Sequence, residues 1–125
     1  MMEIINTNNA PAPIGPYSQA TVAGNFVFVS GQIPLNPATG ELVTSGIKDE
    51  AVLVMENIKA ILTEAGIGFA NVVKTSIFLT DLGNFGQVNE VYGTYFTSSF
   101  PARETVQVSA LPKGVNVEIS VIAVK

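Results

Sequence analysis

The sequence predicts a mixed domain in which two helices cover one face of a single sheet. Three observations carry this. Short runs with apolar residues at alternate positions sit at both ends and in the middle of the chain. Two stretches instead carry apolar residues at spacings of three and four. Gly and Pro only punctuate the joins between them. The 125 residues suffice for one domain, residues 1–125, with one core.

Taken in order, "EII" near the start allows a short strand. "SQATVAGNFVFVSGQI" reads as a hairpin: a run ending at Val22, a Gly24-Asn25 turn, then "FVFVS". "PLNPATGEL" is loop. From Ile47 to Ala65 the residues Ile47, Ala51, Val54, Met55, Ile58, Ile61, Leu62 and Ala65 form one apolar stripe, which predicts an amphipathic helix. Thr44 or Ser45 is placed to cap its start, Asp49 and Glu50 suit its positive end, and Gly66 suits a left-handed position after its end. "VVKTSIFLTDL" is the next strand. A second, shorter helix presents Phe85, Val88, Val91 or Tyr92, and Tyr95 or Phe96 on one side. "FPARETVQVSALPKGVNVEISVIAV" closes the chain as two strands that read as a hairpin folded about "LPKG". The order is ββαβαββ, with right-handed crossovers wherever strands run parallel. Two helices cover only one face of such a sheet, so the other must meet water or another subunit.

Composition excludes several function classes. Ten acids against six bases give a net charge of −4, without the basic stripe of a nucleic-acid surface. With no His, the usual neutral-pH proton shuttle is missing, and with it the commonest metal ligand. With no Cys there are no disulfides, thiolate zinc sites or thiol nucleophiles. Acid–base chemistry falls to Asp, Glu, Tyr, Lys or water. "MMEIINTNNAPAPIGPY" lacks the basic and apolar regions of a signal peptide, and no apolar run is long enough to span a membrane, so a cytoplasmic protein is expected. The chain is 47% hydrophobic but only 13% charged, where about 25% charged is usual. Oligomerisation is the simplest way to cover so uncharged a surface.

Side-chain alternation assigns faces in the closing strands. Val106 and Val108 lie on one side of the first, with Arg103, Thr105, Gln107 and Ser109 on the other. In the second, Val117, Ile119, Val121 and Ala123 oppose Asn116, Glu118, Ser120, Ile122 and Val124. The consistently apolar sets must lie under the helices, so Arg103 and Glu118 are expected to share the uncovered face, and the hairpin brings Glu118 diagonally close to Thr105, within reach of Arg103. A surface ion pair is the plain reading of two such residues. The uncharged neighbours and the stiff "FPA" entrance to the strand favour a substrate-orienting arginine instead. Ser30 and Gly31, at a strand end, read as a bulge or strand exit; Tyr17, after a Pro/Gly segment, as a packing residue; and Asn89 as a solvated helix residue.

Together, "IGPYSQA", "FVFVSGQIPLNPATGEL", "ENIKAILTEAG", "TDLGNF", "VN", "FPARETVQV" and "LPKGVNVEISVIA" resemble the RidA (YjgF/YER057c) family along nearly the whole chain. The resemblance implies a chorismate-mutase-like α+β fold and a homotrimer whose sheets pack around a central barrel, with clefts between neighbouring subunits. It implies hydrolysis of reactive 2-imino acids or their enamine tautomers, such as 2-aminoacrylate and 2-aminocrotonate, to 2-keto acids and ammonia, with no cofactor and no metal. By position, Arg103 matches a carboxylate-binding arginine and Glu118 an acidic residue that positions or activates water. Tyr17, Ser30, Gly31 and Asn89 match other cleft positions, and Thr105 stands where many relatives have a cysteine. Two other readings remain: a non-catalytic regulator binding 2-keto acids in the same cleft, and a ribonuclease or translation inhibitor, which the sequence pI of about 4.6 and the lack of His disfavour.

Overall fold

The alternating and helical patterns become six strands and two long helices. The computed structural model describes residues 2–125. Strand β1 (Glu3–Ile5) is followed by β2 (Ala20–Ala23) and β3 (Phe26–Gln32). Helix α1 (Ile47–Glu64), β4 (Val72–Leu79), α2 (Phe85–Gly93), β5 (Ala102–Gln107) and β6 (Val117–Val124) complete the chain. This is the expected ββαβαββ order, preceded by the short first strand, and it forms one mixed α+β sheet in the order β1-β2-β3-β6-β4-β5.

Local chemistry sets several boundaries. Ala23 pairs with Phe26 across the Gly24-Asn25 turn, and Gly24 has φ +59°, a conformation that side chains rarely adopt. At the end of α1 the amide of Gly66 (φ 80°) donates to the Thr63 carbonyl at 2.9 Å, and that of Ile67 donates to the Leu62 carbonyl at 3.0 Å. This is the left-handed termination that Gly66 promised. The start of α1 differs from expectation. Gly46 occupies the cap and makes no side-chain cap bond, while the Ser45 hydroxyl donates to Asp49 at 2.7 Å. The acidic first turn therefore spends Ser45 on a side chain rather than on the helix amides.

The closing strands are not a hairpin. β4 lies between them, parallel to β5 and antiparallel to β6. The reason is crossover geometry: α2 returns the chain so that β5 runs beside β4, as in any strand–helix–strand unit. β6 then inserts between β3 and β4, antiparallel to both. Its burial alternates strictly, with Val117, Ile119, Val121 and Ala123 packed against the helices. They join Val27, Val54, Ile58, Ile61, Leu62, Ile77 and Leu79 in one core. Each such side chain contributes about 1.5–3 kcal/mol of burial.

The other face of the sheet is uncovered and unusually apolar. Ile4 is 59% exposed, Phe28 42% and Val106 40%, and the Phe26 and Phe28 rings stand 6.2 Å apart. An unpartnered face of this kind marks an interaction surface. No helix among the described residues is long and apolar enough to cross a membrane.

Candidate active site

Six of the sequence-predicted site residues gather in two clefts rather than one, and Thr105 lines neither. The first is built where β3 meets β6. Regular pairing runs to Val29↔Val121 and resumes at Gln32↔Ile119, so β3 bulges by one residue around Ser30 and Gly31. The Ser30 amide donates to the Gln19 carbonyl at 2.9 Å and its hydroxyl to the Ser18 carbonyl at 2.6 Å. Those bonds pin the preceding loop to the bulge. Gln19, 2% exposed, does the rest: its amide nitrogen donates to the carbonyls of Thr7, Ala10 and Pro11, and its oxygen accepts from the Thr7 amide at 2.7 Å. The rigid loop presents Tyr17, half exposed, above the cleft.

Glu118, the second residue of β6, points to the uncovered face and lies directly against the Gly31 backbone. Burial among these neighbours pushes its carboxyl above the usual carboxylate range. Ile14, Tyr17, Ser30, Ile33 and Pro112 complete a cavity of about 400 Å³ around it.

The second cleft lies between α2 and the edge strand β5. Its volume is about 460 Å³, and Asn89, Tyr92, Gly93, Phe100, Pro101 and Arg103 line it. Asn89 and Tyr92 are one helical turn apart and therefore share a face of α2. The Arg103 guanidinium carbon sits 5.0 Å from the Tyr92 ring centroid and 5.6 Å from that of Phe85. Tyr92 is itself fixed, donating from its hydroxyl to Thr75 at 3.1 Å. Burial raises its pKa, a shift that the Thr75 bond and the Arg103 charge oppose. Two residues along β5, the Thr105 hydroxyl is buried with no hydrogen-bond partner.

Arg103 and Glu118 do not share a face. Thr75 pairs with Arg103 and Ile77 with Thr105, and directly paired residues point the same way. Thr75 and Ile77 are both fully buried beneath the helices. Arg103 and Thr105 therefore point to the helix side, while Glu118 points to the open side. The expectation failed because it assumed that apolar residues mark the covered face. Edge strand β5 inverts this, exposing Val106 on the open side and placing polar residues beside α2. Within one chain the two residues cannot meet, and they are not an ion pair. The two ion pairs among the described residues, Lys48–Glu90 and Lys74–Glu104, involve neither.

The family profile described as Endoribonuclease L-PSP matches residues 7–125. The chain belongs to this family. It is the RidA family that the sequence motifs resemble. A RutC family protein of Pyrococcus horikoshii is 55% identical over 125 residues, covering 100% of this chain and 99% of its own. The 2-iminobutanoate/2-iminopropanoate deaminase of Mus musculus is 50% identical over 123 residues, covering 98% of this chain and 90% of its own. Among solved structures, TdcF of E. coli with bound serine superposes with a TM-score of 0.94 at 45% identity, covering 98% of each chain.

Sequence reasoning missed Gln19, Phe85 and Tyr92 in this RidA-family chain. Helical spacing marks Phe85 and Tyr92 as candidates for the apolar side of α2, which they occupy, but the same side also shelves the arginine. The signal that could have found them is the crossover itself: placing β5 beside β4 puts Arg103 under α2.

Proposed function

We propose that this protein is a 2-iminobutanoate/2-iminopropanoate deaminase whose site closes between two copies of the chain. The observation that carries the reading is the state of Arg103: a guanidinium held over two rings and, among the described residues, in no ion pair. A planar fork of this kind binds a carboxylate through two parallel hydrogen bonds. Glu118, half-buried and raised in pKa, supplies the acid–base group. Because the two lie on opposite faces, one copy offers Arg103, Asn89 and Thr105 while its neighbour offers Glu118, Tyr17, Ser30 and Gly31. The apolar open face and low charge favour a homotrimer with three such clefts, which we place in the cytoplasm on the sequence pattern of its first residues.

The chemistry balances with substrate and water. Arg103 holds the carboxylate of an iminium acid, beside an already electrophilic carbon. Glu118 accepts a proton from water as the new carbon–oxygen bond forms. It then returns that proton to the nitrogen; as the carbon–nitrogen bond breaks, Glu118 takes the hydroxyl proton so that the carbonyl forms, and that proton leaves with the ammonia as ammonium, beside the 2-keto acid. Such positioned acid–base help contributes roughly 10²–10⁴-fold in rate. The competing reading, a non-catalytic sensor of 2-keto acids, uses Arg103 equally well. A coupled assay separates them: a threonine dehydratase generates the imine, and 2-oxobutanoate release is timed with and without this protein. Faster release at catalytic ratios supports the deaminase. Binding of 2-oxobutanoate without acceleration establishes the sensor.

A further inference from the structure

Gly31 raises a question that backbone conformation does not answer. Its φ is not among the positive values, which belong to Gly24, Gly40, Gly46, Gly66 and Gly114 and to Lys113. It is also exposed, so core packing does not require a small residue there. Space does. A Cβ built on Gly31 would lie 2.8 Å from Glu118 Cδ, 2.9 Å from its Oε2 and 3.0 Å from its Cγ, and these are its three nearest neighbours. Contacts this short force the neighbour to move. The bulge that shifts β3 by one residue between Val29 and Gln32 is what brings this backbone against the acid.

We propose that Gly31 is a positioning residue for Glu118: its missing side chain forms the slot in which the carboxyl lies against β3, partly shielded from water. The inference rests on the deaminase reading and gives that site a determinant of its acid's position. Glu118 is paired across β6–β4 with Phe78, which carries no charge. Ser30, Ile33 and Pro112 in the cavity wall are also uncharged, and Tyr17 is the titratable group that shares it. Lys74 and Glu104 neutralise each other farther along β4 and β5. Within one chain, desolvation in the slot thus governs the raised pKa of Glu118, and in the assembled cleft the neighbouring copy's Arg103 is the charge that opposes this shift. An added methyl group would push the carboxyl outward, toward water and away from the carbon it serves.

The test compares Gly31→Ala, Glu118→Gln and the double variant in the coupled assay across the acidic limb of the pH profile. Gly31→Ala is expected to lower kcat at least about tenfold, a fraction of what a positioned acid–base group contributes. Its acidic limb should move to lower pH, and affinity for 2-oxobutanoate should change less than kcat. In the Glu118→Gln background the same change should cost nothing further, since Gly31 acts through the acid. Wild-type kcat and pH profile in Gly31→Ala, or an equal loss in both backgrounds, overturns the proposal. Wild-type turnover in Glu118→Gln would instead sink the deaminase mechanism. Carbon-13 titration of the Glu118 carboxyl then still decides the role of Gly31, a midpoint unmoved by Gly31→Ala overturning it and a lowered one supporting it. Should Gly31→Ala not fold, Gly31→Ala/Glu118→Ala removes the obstruction and is expected to fold; failure of both overturns the slot.

Discussion

Arg103 stands 5.0 Å from the centre of the Tyr92 ring, and neither ion pair among the described residues involves it. The aromatic shelf does what a salt bridge would otherwise do, orienting the guanidinium while leaving its donors free. Phe85 is 40% exposed, so Phe85→Leu removes one side of the shelf without opening the core. Cation–π contacts at such sites are worth about 0.5–1 kcal/mol, so affinity for 2-oxobutanoate should fall roughly twofold to fivefold. Arg103→Lys keeps the charge but loses the fork, and should weaken binding more than Phe85→Leu. Calorimetric titration of both variants checks the order; full activity and unaltered affinity in Arg103→Lys refute the carboxylate role.

Glu118→Gln should stabilise the protein at neutral pH while slowing hydrolysis. Burial raises the folded-state pKa of Glu118 above its unfolded value. The folded form then binds more protons than the unfolded one between the two values, so stability falls as pH rises through that window. Above it, the wild-type protein bears the cost of a half-buried charge that glutamine does not carry. Thermal melts should show a higher Tm for Glu118→Gln at pH 7. The difference should vanish below the ordinary glutamate value near 4.3. A structural ion pair predicts the reverse, a Tm lower in the variant.

What could be read in advance follows from period and punctuation. The stripe from Ile47 to Ala65 and the glycine after it located α1 and its end, because both signals are local. Motif resemblance also names candidate site residues; Tyr17, Ser30, Gly31 and Glu118 line one cleft and Asn89 and Arg103 the other, while Thr105 lines neither. Strand adjacency was not legible from local pattern alone. Whether β5 pairs with β4 or β6 depends on where α2 returns the chain. Face assignment failed with it, since on an edge strand beside an open apolar face, hydrophobicity no longer distinguishes inside from outside. Gln19 was invisible for another reason: one glutamine in a loop gives no periodic signal, although it ties down three carbonyls.

Thr105→Val should fold and melt no lower than wild type. The Thr105 hydroxyl is buried without a partner, and such a group costs about 1–3 kcal/mol where water cannot reach it. Valine fills the same volume and removes the penalty. Imine hydrolysis should also persist in Thr105→Val, and in Thr105→Cys. A loss as severe as that from removing Arg103 would show that the hydroxyl's missing partner is the substrate itself.

The opposite facing of Arg103 and Glu118 makes the strongest claim about assembly. Light scattering should give a trimer mass at micromolar concentration; a monomer would leave both clefts half-built. If the working site takes Arg103 from one copy and Glu118 from the next, Arg103→Ala and Glu118→Gln homotrimers should each be nearly inactive. Co-refolding the two inactive variants in equal amounts creates mixed trimers. In any mixed ring, one boundary brings an intact Arg103 from one subunit against an intact Glu118 from its neighbour. Random assembly should then restore roughly a quarter of wild-type turnover, because a closed cyclic arrangement repeats the same head-to-tail contact. Mixing without refolding should restore nothing until subunits exchange. A site contained within one chain predicts no recovery under either protocol, since every subunit would still lack one of its two groups. Recovery after co-refolding, measured by 2-oxobutanoate release in the coupled assay, therefore distinguishes a shared site from a private one.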